Sequence, residues 1–398
     1  MKRLSSFPQL GAARPSGAHT FAILYTLESL ATASTTSVIP IQAYDLLKSK
    51  QAVSLLYTLV AIFGLVSILC VPLALGRLPR RGTYTVGVLA ILVSTACLAT
   101  GTLPGQMLGM VARVVGLGTL STTLNLYVMA NVRRNGFVHA ESLRLAWSTV
   151  AWICGPTLGV FLYTRFGLAA AYGTSAVFAV ILLATFWSFR LSDGEAFTKG
   201  PRRPANPLTS IRRYAFQPRL RLAWVIAVCR SCFWKTFFVY APILMIATGQ
   251  GKLAGGLLVS AGNSTLAGAL LWNGLNKKVG TRRLMALAFS IEGLMLLVSG
   301  YTGEQAPLMT GGLLLVAAFF CVATDSLAAS VFMRAVHPYE RAQMSSVYRT
   351  FPFVADLAAP LAYSIILLFF NLGGVFATLG VIMLCCGALT WCYLPVRL

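Results

Sequence analysis

The chain has 398 residues, 57% of them hydrophobic and only 11% charged, with a mean hydropathy of +0.76. That leaves too little polar surface to clothe a water-soluble globule, and it identifies an integral membrane protein best divided into spans. The formal net charge of +22 does not mark a nucleic-acid binder, because the Lys and Arg residues fall in short loops between apolar runs instead of along one amphipathic face.

The N-terminal stretch MKRLSSFPQLGAARPSGAHT is basic and lacks the short apolar core and cleavage site of a signal peptide, so it is expected to be a cytoplasmic tail. Runs of about 20 apolar residues, enough to cross roughly 30 Å of hydrocarbon, then follow at 19–40, 53–76, 84–102, 105–130, 143–163 and 168–189. After a polar stretch they resume at 222–246, 253–275, 284–301, 308–333, 347–370 and 375–394. Nine cysteines all lie within such runs, so neither a disulfide framework nor a loop zinc site is indicated, and Cys229-x-x-Cys232 reads as two small residues of a helix.

Assigning the loops alternately to two sides places 25 of the 32 Lys and Arg residues on one side and four, Lys48, Lys50, Arg165 and Lys252, on the other. The remaining three, Arg113, Arg230 and Lys235, lie inside spans. The excess of positive charge predicts that both termini and the central loop are cytoplasmic in a multi-pass protein of a cell membrane, with a bacterial inner membrane as the expected setting. Residues 190–221 carry eight of these cations and the turn-forming GPRRPANP, and are expected to link an N-terminal six-helix bundle (1–189) to a C-terminal one (222–398). Three landmarks recur about 200 residues apart: Pro40 with Pro242, Gly82 with Gly280, and His139 and Glu141 with His337 and Glu340. That spacing is expected of a duplicated six-helix unit.

Four motifs carry a family resemblance. Span 5 contains Gly155-Pro156-Thr157-Leu158-Gly159, the loop after span 2 reads GRLPRRG from Gly76 to Gly82, and the loop after span 8 reads NGLNKKVGTRR from Asn273 to Arg283. Span 4 carries RVVGLG, Arg113 to Gly118. With the twelve-span pattern, the chain resembles the major facilitator superfamily over nearly its whole length. The resemblance implies an all-α membrane fold of twelve transmembrane helices in two pseudo-symmetric bundles, with spans 1, 4, 7 and 10 lining a central cavity. It also implies that Gly155, Pro156 and Gly159 form the G-P-x-x-G core associated with antiporters. Physically, the two glycines permit close helix contact and the proline removes a backbone donor. Both basic loops lack the acidic residue of the family pattern.

Only ten residues are acidic, and four of them, Glu28, Glu292, Asp325 and Asp356, fall inside spans, where ionisable groups usually face a cavity or a partner. On the presumed cavity spans lie Glu28, Arg113, Arg230, Lys235 and Asp325. Glu28 and Asp325 are the candidate proton-coupling groups, since burial favours a neutral acid while a neighbouring arginine such as Arg113 or Arg230 favours the carboxylate. Arg113, Arg230, Lys235, Trp234 and Asn125 are the candidates for substrate binding or charge pairing. Arg230 and Lys235 are separated by about 140° around a helix and about 7.5 Å along it, so they cannot grip one small anion together, and Lys235 could pair with Asp356.

The expected function is proton-coupled efflux of a small organic or drug-like solute by alternating access, with protons and the lipid bilayer as the other partners and a monomer as the expected state. The alternatives are uptake of an anionic metabolite and a non-transporting receptor. No P-loop, H-E-x-x-H or nucleophile motif is present, so the protein is not expected to be an enzyme or to use a cofactor or metal, and no catalytic residues are assigned.

Overall fold

A computed structural model describes residues 17–77, 79–131, 137–189, 207–336 and 341–395, and every element among them is helical. The expected N-terminal tail up to residue 16, most of the central linker, His337 and Glu340 lie outside these residues. Among the described residues ten helices are long and apolar enough to cross a membrane, and they fall on the expected spans 3 to 12. Span 2 falls on α3 (Lys50–Arg77), whose shorter apolar part runs over Lys50–Val66, and span 1 is shared by α1 (Gly17–Thr36) and α2 (Val38–Leu47).

The break in span 1 has a local cause. In the TASTTS stretch Thr32 bonds back to the carbonyl of Glu28 at 2.9 Å, and Thr35 and Thr36 to that of Thr32 at 3.2 and 3.0 Å. Such back-bonding bends helices. Four residues after Thr36 comes Pro40, which has no N–H to offer its carbonyl. The helix axis therefore yields at Ser37, midway along the span.

The other N-terminal spans are α4 (Arg80–Ala99), α5 (Leu103–Asn131), α6 (Phe137–Phe166) and α7 (Leu168–Ser188). A short helix, α8 (Pro207–Phe216), precedes α9 (Pro218–Ala247). Span 8 comprises α10 (Lys252–Ser264), a 3₁₀ turn and α11 (Ala269–Val279), followed by α12 (Thr281–Thr302) and α13 (Pro307–Ala335). Span 11 is α14 (Arg341–Tyr348) and α15 (Phe351–Phe369), and α16 (Leu372–Tyr393) ends the chain's helical part. Several helices outrun the apolar runs at their charged ends. Thus α6 begins at 137 and α9 at 218, before the expected 143 and 222.

The first seven helices pack as α1 on α6 and α7, α4 on α5 and α7, and α3 on α5; in the remainder α9 touches α10, α13, α15 and α16, and α12 lies along α16. Two helix pairs dominate the contact between these groups, α6 with α10 and α3 with α15. Call the end that holds Gly17 and the 279–281 turn the near end, and that holding residues 47–50 and 248–252 the far end. One apolar cluster runs from Val38, Ile41 and Leu56 into Tyr240, Leu244 and Phe376, joining the groups on the far side. A separate cluster, with Phe21, Tyr84, Tyr127 and Phe186, fills the near end of the first group alone.

Gly155 and Gly159 set the distance of α6 from α1. A Cβ on Gly155 would lie 2.7 Å from that of Ala33, and one on Gly159 would overlap the Ser34 carbonyl oxygen. Because that obstacle is backbone, it cannot swing aside. Gly159→Val is expected to cost about 1–3 kcal/mol or more through overpacking and to lower the melting temperature in detergent. Gly173→Ala, where a Cβ meets nothing within 4 Å, should melt with the wild type. Equal melting of both variants would disprove the close α1–α6 contact.

Candidate functional site

A cavity of about 400 Å³ lies at mid-depth between the two helix groups. Its walls come from α1, α2, α3, α5 and α6 on one side and from α9 and α15 on the other. Span 10, expected among the walls, contributes none of them, whereas spans 2, 5 and 11 do. The cause is packing: α3 and α15 meet each other across the groups, while α13 sits behind α9.

Four charged side chains line the cavity: Glu28, Arg113, Lys235 and Asp356. Glu28 and Arg113 are buried, at 7% and 8% exposure. Arg113 donates from Nη2 to the Thr32 carbonyl at 2.6 Å, at the softened part of α1, and its Nη1 has no hydrogen-bond partner among the described residues. The Oε2 of Glu28 is likewise buried without one. The cation that acts on Glu28 is Arg144, not Arg113 or Arg230. Arg144, counted by sequence among the 25 basic-side loop cations although it falls at the very start of span 5, lies more than a turn inside α6, where its Nη1 donates to Asn125 Oδ1 at 3.1 Å and it sits 4.3 Å over the Tyr25 ring. Asn125 thus orients Arg144 and is not a cavity wall.

Lys235 pairs with Asp356 at 2.5 Å, and both remain partly exposed, at 44% and 33%. Arg230, Asp325 and Trp234, expected at the cavity, do not line it. Arg230 forms an ion pair with Asp325 Oδ1, whose other oxygen accepts from Trp234 Nε1 at 2.7 Å. Arg230 also lies 5.2 Å over the Phe351 ring. With its charge answered inside the second helix group, it cannot face Glu28 across the middle. Glu292 is fully buried on α12, and both of its oxygens lack hydrogen-bond partners among the described residues.

The remaining walls are aromatic, aliphatic and hydroxyl-bearing. Tyr57, Tyr363 and Trp152 are among the wall rings that no sequence motif singled out. Trp152 and Phe238 face each other across the groups with ring centroids 6.3 Å apart. Such a surface suits an amphipathic organic molecule.

The hydrogen bonds and ion pairs that join described residues of the two groups lie at mid-depth or toward the far end. Lys50 meets Glu304 at 2.5 Å, and Glu304 also accepts from the Leu372 N–H at 3.1 Å. Lys252 meets Asp45 at 2.5 Å, and Tyr163 donates to the same carboxylate at 2.9 Å. Deeper, Ser54 donates to the Pro360 carbonyl at 2.7 Å and lies 2.6 Å from the Tyr240 hydroxyl. The signal for this contact was present in an acid-poor chain that places Asp45 and Glu304 at far-side loops, the side that also holds Lys48, Lys50 and Lys252.

Pro156 explains a further crosslink. Lacking an N–H, it leaves the carbonyl of Trp152, four residues earlier, without its helical donor. Asn263 of α10 supplies one, donating from Nδ2 at 2.7 Å. One turn on, Thr157 Oγ1 donates to Ser260 at 2.7 Å. The proline of the motif thus creates an acceptor that the other helix group uses.

The sequence profile of the Major Facilitator Superfamily matches residues 21–268. Among solved structures the fold is similar to peptide transporter POT in complex with sulfate, with a TM-score of 0.70 and 14% identity over 96% of this chain and 95% of that one. It is similar to a POT family transporter in complex with 5-aminolevulinic acid, with a TM-score of 0.75 and 12% identity over 96% and 97%. A mutant of the nucleoside transporter NupG gives a TM-score of 0.73 and 12% identity over 94% and 98%. No curated protein sequence matches the chain.

Removing the Asn263 amide strands the Trp152 carbonyl, so Asn263→Ala is expected to cost about 1–3 kcal/mol. In a Pro156→Ala background the helix regains its own donor and most of that cost should vanish, which a double-mutant cycle of thermal unfolding measures. An unchanged cost in that background would separate the crosslink from the proline. Helices that span the membrane, a shared central cavity and the profile match lead to one conclusion: the chain belongs to the Major Facilitator Superfamily and is a membrane transporter.

Proposed function

We infer that the protein is a proton-coupled secondary transporter that exports a small amphipathic organic solute by alternating access. The observation that carries this reading is a mid-depth cavity flanked, toward the far end, by the ion pairs that join described residues of the two groups. Cross-group ion pairs and hydrogen bonds gather toward the far end, while Glu28 and Arg113 stay buried at the cavity wall. With the near end in the cytoplasm, as the distribution of positive charge favours, this conformation would receive solute from the cytoplasmic side. The helix groups 1–189 and 222–398 are proposed to rock about the cavity, with 190–221 as their connection.

Glu28 is the proposed proton-coupling group. It is the cavity acid without an ion pair of its own to match the Lys235–Asp356 pair, and a carboxyl so buried changes its electrostatic balance when it gains or loses a proton. Asp325, the second candidate, sits in the Arg230–Trp234 arrangement away from the wall, which supports a role in holding α9 to α13. Export is supported by the Gly155–Gly159 motif and its tight seat on α1. Uptake of an anionic solute keeps one supporting observation, the unpartnered Arg113 Nη1. Of the other two cations expected there, Arg230 is answered by Asp325 and Lys235 by Asp356.

Proteoliposomes with an imposed pH gradient test the reading, using a panel of amphipathic cations, neutral organics, dipeptides, 5-aminolevulinic acid and nucleosides. Wild-type flux should follow the gradient. Glu28→Gln should lose that dependence by an order of magnitude or more while still binding solute, as read by thermal stabilisation. Gradient-driven accumulation by Glu28→Gln at the wild-type rate would remove Glu28 from coupling. Binding without flux across the whole panel would favour a receptor.

A further inference from the structure

We propose that the near end of the α12–α16 pair binds the phosphodiester headgroup of an anionic membrane phospholipid. A second cavity, of about 350 Å³, is walled by Val279, Gly280, Arg282, Arg283 and Trp391. The chain reverses between α11 and α12 through Gly280 alone, at φ 88° and ψ 147°, a conformation open to glycine. The reversal sets the first-turn N–H groups of α12, which no side chain caps, beside two guanidinium groups. Arg282 lies 5.1 Å over the Trp391 ring, and its Nε is buried with no hydrogen-bond partner among the described residues. Arg283 is exposed, as are Lys277 and Lys278 just before the turn.

Among the described residues, no acid pairs with these four cations, and residues 273–291 contain neither Asp nor Glu. The family's acidic loop position is occupied here by Lys277. A site of this composition favours a phosphate oxygen with two or three donors around it.

The surroundings select a lipid over a soluble anion. From Arg283 an exposed stripe continues down one face of α12 through Leu287 and Leu294, at 54% and 51% exposure. Helix α16, packed along α12, exposes Trp391 at the same end and Val381 farther down. A charged head pocket that opens onto apolar helix faces fits an amphiphile, and an exposed Trp at a helix end is typical of the membrane interface.

The full chain in detergent, mixed with phosphatidylglycerol, phosphatidylcholine or inorganic phosphate, is the test, read by native mass spectrometry and thermal unfolding. Phosphatidylglycerol should stay bound and raise the melting temperature by several degrees where phosphatidylcholine does not. The Arg282→Ala/Arg283→Ala double variant should bind it about tenfold or more weakly, whereas Arg165→Ala, at the far end, should not. Should the double variant fail to fold, Arg283→Gln at an exposed position serves in its place, and the wild-type lipid comparison needs no variant. Inorganic phosphate that stabilises as well as phosphatidylglycerol would overturn the lipid assignment. Equal retention of both lipids, or unchanged phosphatidylglycerol binding by the variants, would overturn the site.

Discussion

A charge inside hydrocarbon must be paired, hydrogen-bonded or given water, because the cost of leaving it bare is several kcal/mol on most scales. That constraint organises this molecule. Ten acids are set against 32 Lys and Arg residues, and four of those acids form ion pairs within or between the helix groups: Asp45 with Lys252, Glu304 with Lys50, Asp325 with Arg230, and Asp356 with Lys235. The pairs divide by location. Two span the helix groups at the far end and two lie inside the second group, while Glu28 of the first group has no ion pair among the described residues.

That division gives the molecule a mechanical character. The far-end pairs and the Ser54–Tyr240 and Asn263–Trp152 contacts are the ones that motion of one group against the other would have to break. Pairs within a group can ride along with it. Exposed surface ion pairs are individually worth little, and those at the far end retain 22–32% side-chain exposure on their inter-group partners. A closure built from several modest, half-wet contacts over an apolar seam can be made and released, which a transport cycle requires. The softened middle of α1, where Thr32 offers its carbonyl to Arg113, places the most deformable backbone at the cavity.

Particular residues show how much of this was legible beforehand. The pairing of Lys235 with Asp356 could be anticipated because ionisable residues inside the apolar runs of spans 7 and 11 have few other ways to lower their cost. The glycines of the GPTLG stretch announced a close helix contact because spacing i to i+4 puts both on one face. Arg144 was misplaced, since hydropathy marks where a chain becomes apolar and not where its helix starts. Arg230 and Asp325 were expected at the cavity because family architecture assigns whole helices to it. The side-chain direction that turned them toward each other depends on how α13 settles behind α9. The use of the Trp152 carbonyl by Asn263 could not be read at all, since it joins residues 111 apart.

What the amino-acid sequence determined by itself was therefore what local composition controls: membrane residence, the rough extent of the spans, and the presence of ionisable groups that must find partners. Apolar run length and backbone donors are properties of contiguous residues, so no partner helix is needed to know them. Tertiary structure alone decided which charges meet, which walls enclose the cavity, and where the unmatched arginines beside Trp391 are left. Those outcomes depend on the rotation and depth of each helix against its neighbours, and that packing is settled by many weak contacts between residues far apart in the chain.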